Sequence, residues 1–259
     1  MDFAISFFHL RTALRWPATC AAALSLLAGL SAGCKTAPAP DTGFNPNGDV
    51  MTAQRERFPF QRVWVKPGVD RSQYDYILIQ RVNTSYLLDN TGWRAANPGN
   101  STLESAAADM AQYTEQAFDR AFRNWENSAL LVGFRPGPRT LSLELAITEL
   151  VPAKAVLGAV GLVAPAAGQA AIGAGSKVAA GRPSVAIEGR VTDSQTGEVL
   201  MMFADREERQ VRVVDLKSVT WWGHAKPIID DWARQCAELA NTPSSHKVSD
   251  RSKFTLMPW

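Results

Sequence analysis

The chain has 259 residues, with 27 lysine and arginine residues against 25 aspartate and glutamate residues, a formal net charge of +2. Apolar residues make up 46% and charged residues 20% of the sequence, a composition that excludes wholesale disorder. The near-balanced charge argues against a nucleic-acid-binding protein, which normally carries a concentrated basic excess. Three cysteines and three histidines are too few for a disulfide framework or a His/Cys metal cluster. We therefore predict no metal site and no cofactor.

Residues 1–33 have the pattern of a secretory signal peptide. Arg11 and Arg15 supply a positively charged start, and residues 18–30 form an uncharged, largely apolar run of 13 residues. Such a run is too short to cross a bilayer as a stable helix, but it has the length of a signal-peptide core. We expect residues 1–33 to direct the chain to its destination rather than to form part of the folded domain.

The segment Leu30–Cys34 (LSAGC) resembles a bacterial lipobox, with Ser31 where leucine is usual. The resemblance implies that the Cys34 thiol receives a diacylglycerol and that the signal peptidase cuts just before it. Lys35 follows the cysteine, and by analogy with Gram-negative lipoprotein sorting it favours the periplasmic face of the outer membrane. Two alternatives stay open: ordinary secretion with cleavage near Ala32, which leaves a free Cys34, or an uncleaved anchor.

Residues 34–58 comprise the lipidated cysteine and a predicted flexible tether that holds the domain off the lipid surface. The tether has no apolar period, and residues that break regular structure recur along it: Pro38, Pro40, Gly43, Pro46 and Gly48. The remainder, residues 59–259, has no internal repeat and no second linker. We predict that it forms one domain.

The first half of this domain contains two predicted strands and a helix. Arg62–Lys66 is a short strand stopped by proline, and Tyr76–Val82 (YILIQRV) has the apolar, β-branched composition of a central strand. Residues 83–100 are polar and turn-rich. A helix is predicted over about 101–125, because apolar residues recur at three- and four-residue spacing: Leu103, Ala107, Met110, Ala117 and Ala121.

The second half contains a strand, a hairpin and a helix. Leu141–Thr148 alternates apolar with polar or small residues, which predicts a half-buried strand. Residues 184–204 contain two strands joined by a tight turn at Asp193–Gly197, and 225–240 is an amphipathic helix. The order β-β-α-β-(insert)-β-β-α predicts an α+β domain: a mixed or antiparallel sheet with helices on one face. Residues 241–259 form a C-terminal tail.

An Ala/Gly-rich insert, residues 153–182, separates the strand from the hairpin. It contains 22 consecutive uncharged residues, 155–176, which is long enough to span a bilayer. Alanine and glycine dominate this stretch, however, and Pro165 interrupts its middle. We favour a crossover of one or two helices packed on the sheet or on the membrane surface. Self-association through small residues and insertion into the membrane are the alternatives.

Few residues offer catalytic chemistry. His224 and His246 are the histidines outside the signal peptide, and His224 is the candidate base of a hydrolase, but no G-x-S-x-G elbow accompanies it. Residues 173–177 superficially resemble a phosphate loop with the lysine and serine in the wrong order. The charge run Asp205–Arg209 is typical of a solvated strand end, and the S-x-x-K at 244–247 is a chance match.

Three tryptophans are the candidate binding platform, because large aromatic residues anchor interfaces when they are exposed. They are Trp221, Trp222 and Trp232. The alternative is that they are core residues. Cys236 lies on the apolar face of the last predicted helix, where we expect a buried, unreactive thiol.

The mature chain resembles the domain-of-unknown-function 3313 family of bacterial lipoproteins over residues 42–240. The strings that carry the resemblance include Thr42–Phe44, Leu141–Leu150, Val185–Glu188, Asp193–Glu198 and Trp222-Gly223 ahead of Trp232-Ala233. The resemblance implies an α+β core similar to the small domains of other envelope lipoproteins. Because the family has no assigned activity, no catalytic residue can be carried over to this chain.

These observations predict a lipid-anchored envelope protein that is not an enzyme. We expect a periplasm-facing binding or assembly module, with the membrane as its partner through the N-terminal lipid. A protein partner or self-association through 155–176 is the further expectation. The runner-up is a subunit of an outer-membrane pore or secretion assembly that uses 155–176. A hydrolase acting through His224 is the third alternative.

Overall fold

The helices and strands follow the predicted order. The computed structural model describes residues 37–54, 56–88, 100–151, 183–208, 223–243 and 245–249. The elements are β1 (Arg62–Val65), β2 (Tyr76–Ile79), α1 (Ser85–Leu88), α2 (Asn100–Arg123), β3 (Leu131–Val132), β4 (Thr140–Val151), β5 (Ser184–Asp193), β6 (Val199–Glu208) and α3 (Ala225–Asn241). Only α1 and β3 are additions to the predicted set. They are four and two residues long, too short to produce a periodic pattern.

The strands form one mixed sheet in the order β1-β6-β5-β4-β2-β3. The pairs from β1 to β4 are antiparallel, whereas β2 is parallel to both β4 and β3. The predicted α+β domain with a mixed sheet is therefore confirmed, and β5–β6 is the predicted hairpin. β2 lies second from an edge rather than at the centre. It ends at Ile79, before the predicted limit, and the N–H of Val82 beyond it donates to Glu115 Oε1 of α2 at 2.8 Å.

α2 and α3 pack against one face of the sheet, as the sequence predicts. Alternate residues of β4 and β5 point toward these helices and join a core with Phe118, Trp232 and Ile229. The α3 stripe is confirmed. Ile228, Ile229, Trp232 and Cys236 are buried, and Leu239 packs against the same core.

β4 is buried on both faces, and the prediction of a half-buried strand is wrong. Leu143 and Leu145 face the helices, while Ser142, Ala146 and Thr148 are also buried. The second face is covered because the N-terminal segment lies across the sheet on the side opposite to the helices. Small side chains alternating with leucines therefore mark a strand between two layers here, not a strand facing water.

Residues 37–54 form this covering segment, here called the strap, and they contradict the predicted tether. Ala39, Phe44 and Met51 are buried, and Ala39 and Met51 form a second apolar cluster with Met202 and Ala204 of β6. Met51 is followed by an isolated antiparallel bridge to β1. Prolines and glycines do break regular structure in the strap. The chain is nevertheless held in place by side-chain contacts, which need no backbone periodicity.

Several predicted segments, the signal peptide 1–33 among them, lie wholly or partly outside the described residues. The insert, 153–182, is one of them, and only its flanking strands are described. The C-terminal tail, 241–259, is described to residue 249. Its first part packs on α3: Val248 is buried, and Gln235 Nε2 donates to the carbonyl of Ser249 at 3.1 Å.

Candidate functional site

The strap is attached to the middle of β5 through a buried carboxylate. Glu188 is fully buried. Its Oε1 accepts hydrogen bonds from the backbone N–H and the hydroxyl of Thr42, at 2.9 and 2.7 Å, and its Oε2 accepts one from Asn45 Nδ2 at 3.3 Å. Hydrogen bonds to a charged acceptor are stronger than neutral ones. Thr42 and Asn45 therefore satisfy a group that would be costly to bury without partners.

A second contact holds the strap over the neighbouring part of the sheet. The Arg190 guanidinium lies 4.8 Å from the centre of the Phe44 ring and donates to the Phe44 carbonyl at 2.9 Å. It also pairs with Glu144 of β4 at 2.6 Å. The ring of Phe44 meets Tyr86 edge-on, with 5.7 Å between the centroids. Arg190 thus connects β4, β5 and the strap.

The start of the strap is attached near β1 and β6. The N–H of Ala39 donates to Gln61 Oε1 at 2.7 Å, and Gln61 Nε2 donates to the carbonyl of Arg206 at 2.8 Å. Arg62 Nη2 donates to the carbonyl of Pro40 at 3.0 Å. The chain is therefore fixed to the sheet from Ala39 onward.

Ala39 is attached near one end of the sheet. Of the two strands that flank the insert, one ends and the other begins at this same end. β4 ends at Val151, which pairs with Ser184 at the start of β5, and Ser184 pairs with Glu208 at the end of β6. This end is here called the insert end. Arg206, whose carbonyl connects to Ala39 through Gln61, is two residues from Glu208. The strap begins, and the insert begins and ends, in one region of the molecule.

Ion pairs stabilise the strands at the insert end. Arg206 pairs with Glu149 at 2.9 Å and with Glu208, and the hydroxyl of Ser184 donates to Glu149. Burial by itself lowers the pKa of the Arg206 guanidinium, but the hydrogen bonds to Glu149 and Glu208 outweigh it and the net shift is upward. Arg206 therefore stays charged and holds β4 and β6 together across β5.

The opposite end of the sheet contains a groove of about 990 Å³, here called the distal groove. Its walls are the sheet on one side and the α2–β3 connection and α3 on the other. The apolar wall residues include Leu143, Leu200, Phe203, Phe122, Leu130 and Cys236. Leu141, at the groove, is ten positions before Val151 in β4, whereas Phe203, which also lines the groove, is five positions before Glu208 in β6. At about 3.3 Å per residue, the groove therefore extends from roughly 17 Å to roughly 33 Å from the insert end.

The mouth of the distal groove is polar and carries more positive than negative side chains. Its lining includes Arg57, Lys66 and Arg71 against Asp70 and Asp75. Arg71 Nη2 donates to the carbonyl of Thr242 at 2.6 Å, at the C-terminus of α3. The carboxylate of Asp75 is engaged by Arg139, whose Nη2 lies 2.7 Å from it. That hydrogen bond holds the pKa of Asp75 below its usual value.

The candidate tryptophan platform is wrong for Trp232. This residue is 2% exposed, and its indole N–H donates to Asp205 Oδ2 at 2.7 Å. Trp221 and Trp222 lie outside the described residues. Asp205 is itself buried and also accepts from the N–H of Gln61 at 3.1 Å. The prediction of a solvated charge run therefore fails at this residue, which connects the sheet to α3.

The two histidines described outside the predicted signal peptide lie at opposite ends of α3, in different environments. His224 is buried at the N-cap of α3, and its side chain does not cap the helix. His246 is half exposed and pairs with Glu238 at 2.9 Å. Residues 173–177 lie outside the described part of the chain, and so does Ser244. Cys236 is buried in the wall of the distal groove, where burial raises the pKa of its thiol well above the usual value.

Within the described ranges, no three His, Cys, Asp or Glu side chains are grouped closely enough to hold a metal ion. The helices described here also include none that combines the length and the apolar character needed to cross a bilayer. Cys34 and 155–176 lie outside the described residues.

The strap contacts are the feature that sequence reasoning missed. Two signals for them were available. Glu188 is a carboxylate in the middle of an alternating apolar strand, which indicates a buried partner. The string Thr42–Phe44, within the predicted tether, is one of those that resemble the family, and a spacer has no need of a specific string.

Comparison with known proteins agrees with the inclusion of the strap in the domain. The model of the family described as "Protein of unknown function (DUF3313)" matches residues 42–236, a range that begins at Thr42. No curated protein matches the chain significantly. Among solved structures, the dodecameric PelC of Paraburkholderia phytofirmans is similar at 10% identity, with a TM-score of 0.38 over 70% of this chain and 96% of that chain.

A PelC variant from the same organism is similar at 12% identity, with a TM-score of 0.37 over 67% of this chain and 93% of that chain. Neither similarity is close enough to carry a conclusion about the assembly or the role of this chain. The family match, in contrast, spans most of the sequence and includes most of the strap, the sheet and most of α3. The chain therefore belongs to the DUF3313 family of proteins of unknown function.

Proposed function

We propose that this protein is a bacterial envelope lipoprotein, acylated at Cys34 and held at the periplasmic face of the outer membrane, where it acts as a non-catalytic binding or assembly module. The observation that carries the proposal is the fixed position of Ala39, whose N–H is bonded to Gln61. The lipobox-like segment Leu30–Cys34 supplies the anchor. The strap joins the anchor directly to the folded domain.

The short connection constrains how the domain sits on a membrane. Ala39 is five positions after Cys34, and a fully extended chain of that length spans at most about 18 Å. A domain of about 200 residues has a radius of gyration of about 16 Å. An acyl group on Cys34 would therefore hold the Ala39 side of the domain next to the lipid headgroups. The insert end would face the bilayer, and the distal groove would face away from it.

The same geometry supports a role for the insert at the membrane. The uncharged stretch 155–176 begins four positions after Val151 and ends eight positions before Ser184, and these two residues are paired neighbours at the insert end. A segment that leaves and returns there is positioned to contact the bilayer surface, a protein partner or the same segment of a second copy. We propose self-association or partner binding through 155–176, next to the lipid anchor.

A second candidate function is a subunit of an outer-membrane pore or secretion assembly. The same observation favours it: Val151 and Ser184, which flank the insert, are paired near the start of the strap. Against it stands the sequence of 155–176, which is rich in alanine and does not alternate apolar and polar residues as a membrane strand requires. We therefore rank the assembly module first.

The anchor is tested by metabolic labelling with a palmitate analogue in a Gram-negative host. The wild-type chain is expected to be labelled and to fractionate with the outer membrane, while Cys34→Ser is expected to lose both properties. Cys236→Ser is the matched control, since it removes a cysteine that is buried in α3, and it should label normally. Labelling of Cys34→Ser at the wild-type level would contradict the proposal.

The role of the insert is tested by replacing 155–176 with a short Gly/Ser linker in the full chain. The two chains are compared by mass in detergent and by leakage of dye from liposomes. The assembly module is supported if the chain without 155–176 no longer forms an oligomer or captures a partner, and if the wild-type chain causes no leakage. A ring-sized oligomer that makes liposomes leak only when the insert is present would favour the pore instead.

A further inference from the structure

A polar cleft of about 620 Å³ lies just beyond the end of β2, with Phe44 of the strap on one side. It is here called the bulge cleft, and its volume is within the range of small-molecule sites. Arg81 in its lining is exposed. Four further polar side chains of the lining are half-buried, and so remain accessible to a ligand: Gln80, Asn83, Glu144 and Arg190.

The bulge cleft lies where the hydrogen bonds between β4 and the chain after β2 are interrupted. The N–H of Gln80 donates to the carbonyl of Leu143 at 2.9 Å, and the N–H of Asn83 donates to the carbonyl of Leu145 at 2.8 Å. Three positions on one chain therefore match two on the other, which is a β-bulge. In a regular parallel pair, the N–H of Leu145 would donate to the carbonyl of Gln80. Within the described ranges, neither of these two groups has a hydrogen-bond partner.

The unpaired N–H of Leu145 points to a bound group. The side chain of Leu145 is 1% exposed and belongs to the core on the helix side, so its backbone is the part that reaches the cleft. Buried backbone N–H groups in proteins are almost always paired. A hydroxyl group can accept a hydrogen bond from this N–H and donate one to the carbonyl of Gln80. The backbone at the bulge therefore suits a ligand that carries hydroxyl groups.

Two amide side chains add a free acceptor and a free donor. Gln80 uses Nε2 to donate to Ser142 Oγ at 2.9 Å, and no described residue donates to its Oε1. Asn83 uses Oδ1 to accept from the N–H and the hydroxyl of Ser85, and its Nδ2 has no acceptor among the described residues. A lining that offers donors and acceptors side by side again favours hydroxyl groups, which have both functions.

The bulge cleft also carries one positive charge in excess. Arg190 and Glu144 pair at 2.6 Å and compensate each other. Arg81, in contrast, has no hydrogen-bond or ion-pair partner in the part of the chain that the structure describes. A guanidinium group matches the two oxygens of a carboxylate and binds it through parallel hydrogen bonds. The charge of the lining therefore favours a ligand with one carboxylate.

We infer that the bulge cleft binds a sugar acid, that is, a ring with several hydroxyl groups and one carboxylate. The carboxylate pairs with Arg81, and hydroxyl groups bond the N–H of Leu145 and the carbonyl of Gln80. A simple carboxylate has no donor for that carbonyl, and a neutral sugar has no charge for the guanidinium. The cleft lies on the folded sheet, so the inference depends neither on acylation of Cys34 nor on 155–176.

Binding is measured on the purified full chain by ligand-observed NMR, with glucuronate, glucose and acetate as the probes. Glucose lacks the carboxylate and acetate lacks the hydroxyl groups, so each probe tests one half of the inference. Glucuronate is expected to saturate a single site at millimolar concentration, with glucose and acetate each about ten-fold weaker, the effect of losing one strong hydrogen-bonded contact. No saturable binding of glucuronate, or an equal affinity for acetate or for glucose, would overturn the inference.

A variant tests the guanidinium. Arg81→Gln is expected to weaken glucuronate about ten-fold, to the level of glucose, and to leave the affinity for glucose unchanged. Arg135→Gln is the matched control, because it removes another exposed arginine, on the connection between β3 and β4, and it should bind glucuronate like the wild type. Wild-type affinity of Arg81→Gln for glucuronate would overturn the inference.

A measurement on the unaltered chain locates the ligand without any substitution. Saturating glucuronate is expected to move the amide proton resonance of Leu145 downfield, because its N–H gains an acceptor. The amide of Leu131 is the internal control, since it already donates to the carbonyl of Asp75 at 2.8 Å, and its resonance should not move. If glucuronate saturated the protein and the Leu145 resonance stayed in place, the ligand would lie elsewhere and the inference would be wrong.

Discussion

The indole N–H of Trp232 lies 2.7 Å from Oδ2 of Asp205, so a buried hydrogen bond joins α3 to β6. Both residues are 2% exposed. The carboxylate also accepts the N–H of Gln61, which precedes β1. One acidic side chain therefore fixes the relative positions of a helix, a strand and the entry to a second strand.

Replacement of this indole should be costly. Trp232→Phe keeps an aromatic ring but removes one hydrogen-bond donor from a buried carboxylate, and we expect the free energy of unfolding to fall by about 2–4 kcal/mol. Urea titration followed by circular dichroism measures the change. In a double-mutant cycle with Asp205→Asn, the second substitution should cost less in the Trp232→Phe background than in the wild type. Strict additivity would show that the two groups do not interact.

The strap should contribute measurably to stability. Thr42→Val preserves the volume and the backbone N–H of Thr42 but removes the hydroxyl bond to Glu188, and we expect a loss of about 1–3 kcal/mol. The same substitution at Thr52, an exposed residue of the strap, serves as the control and should change the unfolding free energy by less than about 0.5 kcal/mol. Limited proteolysis should cut the strap faster in Thr42→Val. If Thr42→Val and Thr52→Val had the same unfolding free energy and the same rate of proteolysis, the strap would be a tether, as the sequence predicts.

A glycine in β5 should tolerate no side chain. A Cβ added at Gly189 would lie 2.2 Å from the ring of Phe203, which is buried and stacks on Phe60 with 4.4 Å between the centroids. Because this ring cannot move away, we expect Gly189→Ala to lower the melting temperature and cost about 1–3 kcal/mol. Gly137→Ala is the control, since its Cβ would meet nothing closer than 3.8 Å. A stable Gly189→Ala would show that the core around Phe203 can repack.

The Cys236 thiol should make stability depend on pH above neutrality. Burial raises its pKa in the folded protein, whereas in the unfolded chain the pKa is about 8.5. The unfolded thiol therefore loses its proton first as the pH rises. Stability from this group is complete below about pH 8.5 and declines above it, by about 1.4 kcal/mol between pH 7.5 and pH 9.5. The comparison of unfolding free energies at these two pH values should show a smaller decline for Cys236→Ala. If the unfolding free energy declined equally in the wild type and in Cys236→Ala, groups other than Cys236 would cause the pH dependence.

Much of the α+β architecture could be predicted from local pattern. The α3 stripe that includes Ile228 and Trp232 and the hairpin turn at Asp193–Gly197 are dictated by side-chain spacing and turn chemistry that act within a few residues. The limits of predicted elements were less accurate. At β2, for example, a side chain of α2 takes the backbone N–H of Val82. That competition comes from a residue more than thirty positions away along the chain.

The strap marks the boundary between local and tertiary information. By itself, the sequence determined the order of strands and helices and the uncharged character of 155–176, and it predicts a secretion and lipidation signal, because each depends on residues near one another. Only the tertiary structure decided that β4 has two buried faces, that Glu188 holds Thr42 across 146 positions, and that Trp232 is buried rather than exposed. Burial depends on which layers cover a face, and a layer without periodicity leaves no local pattern from which its position can be predicted.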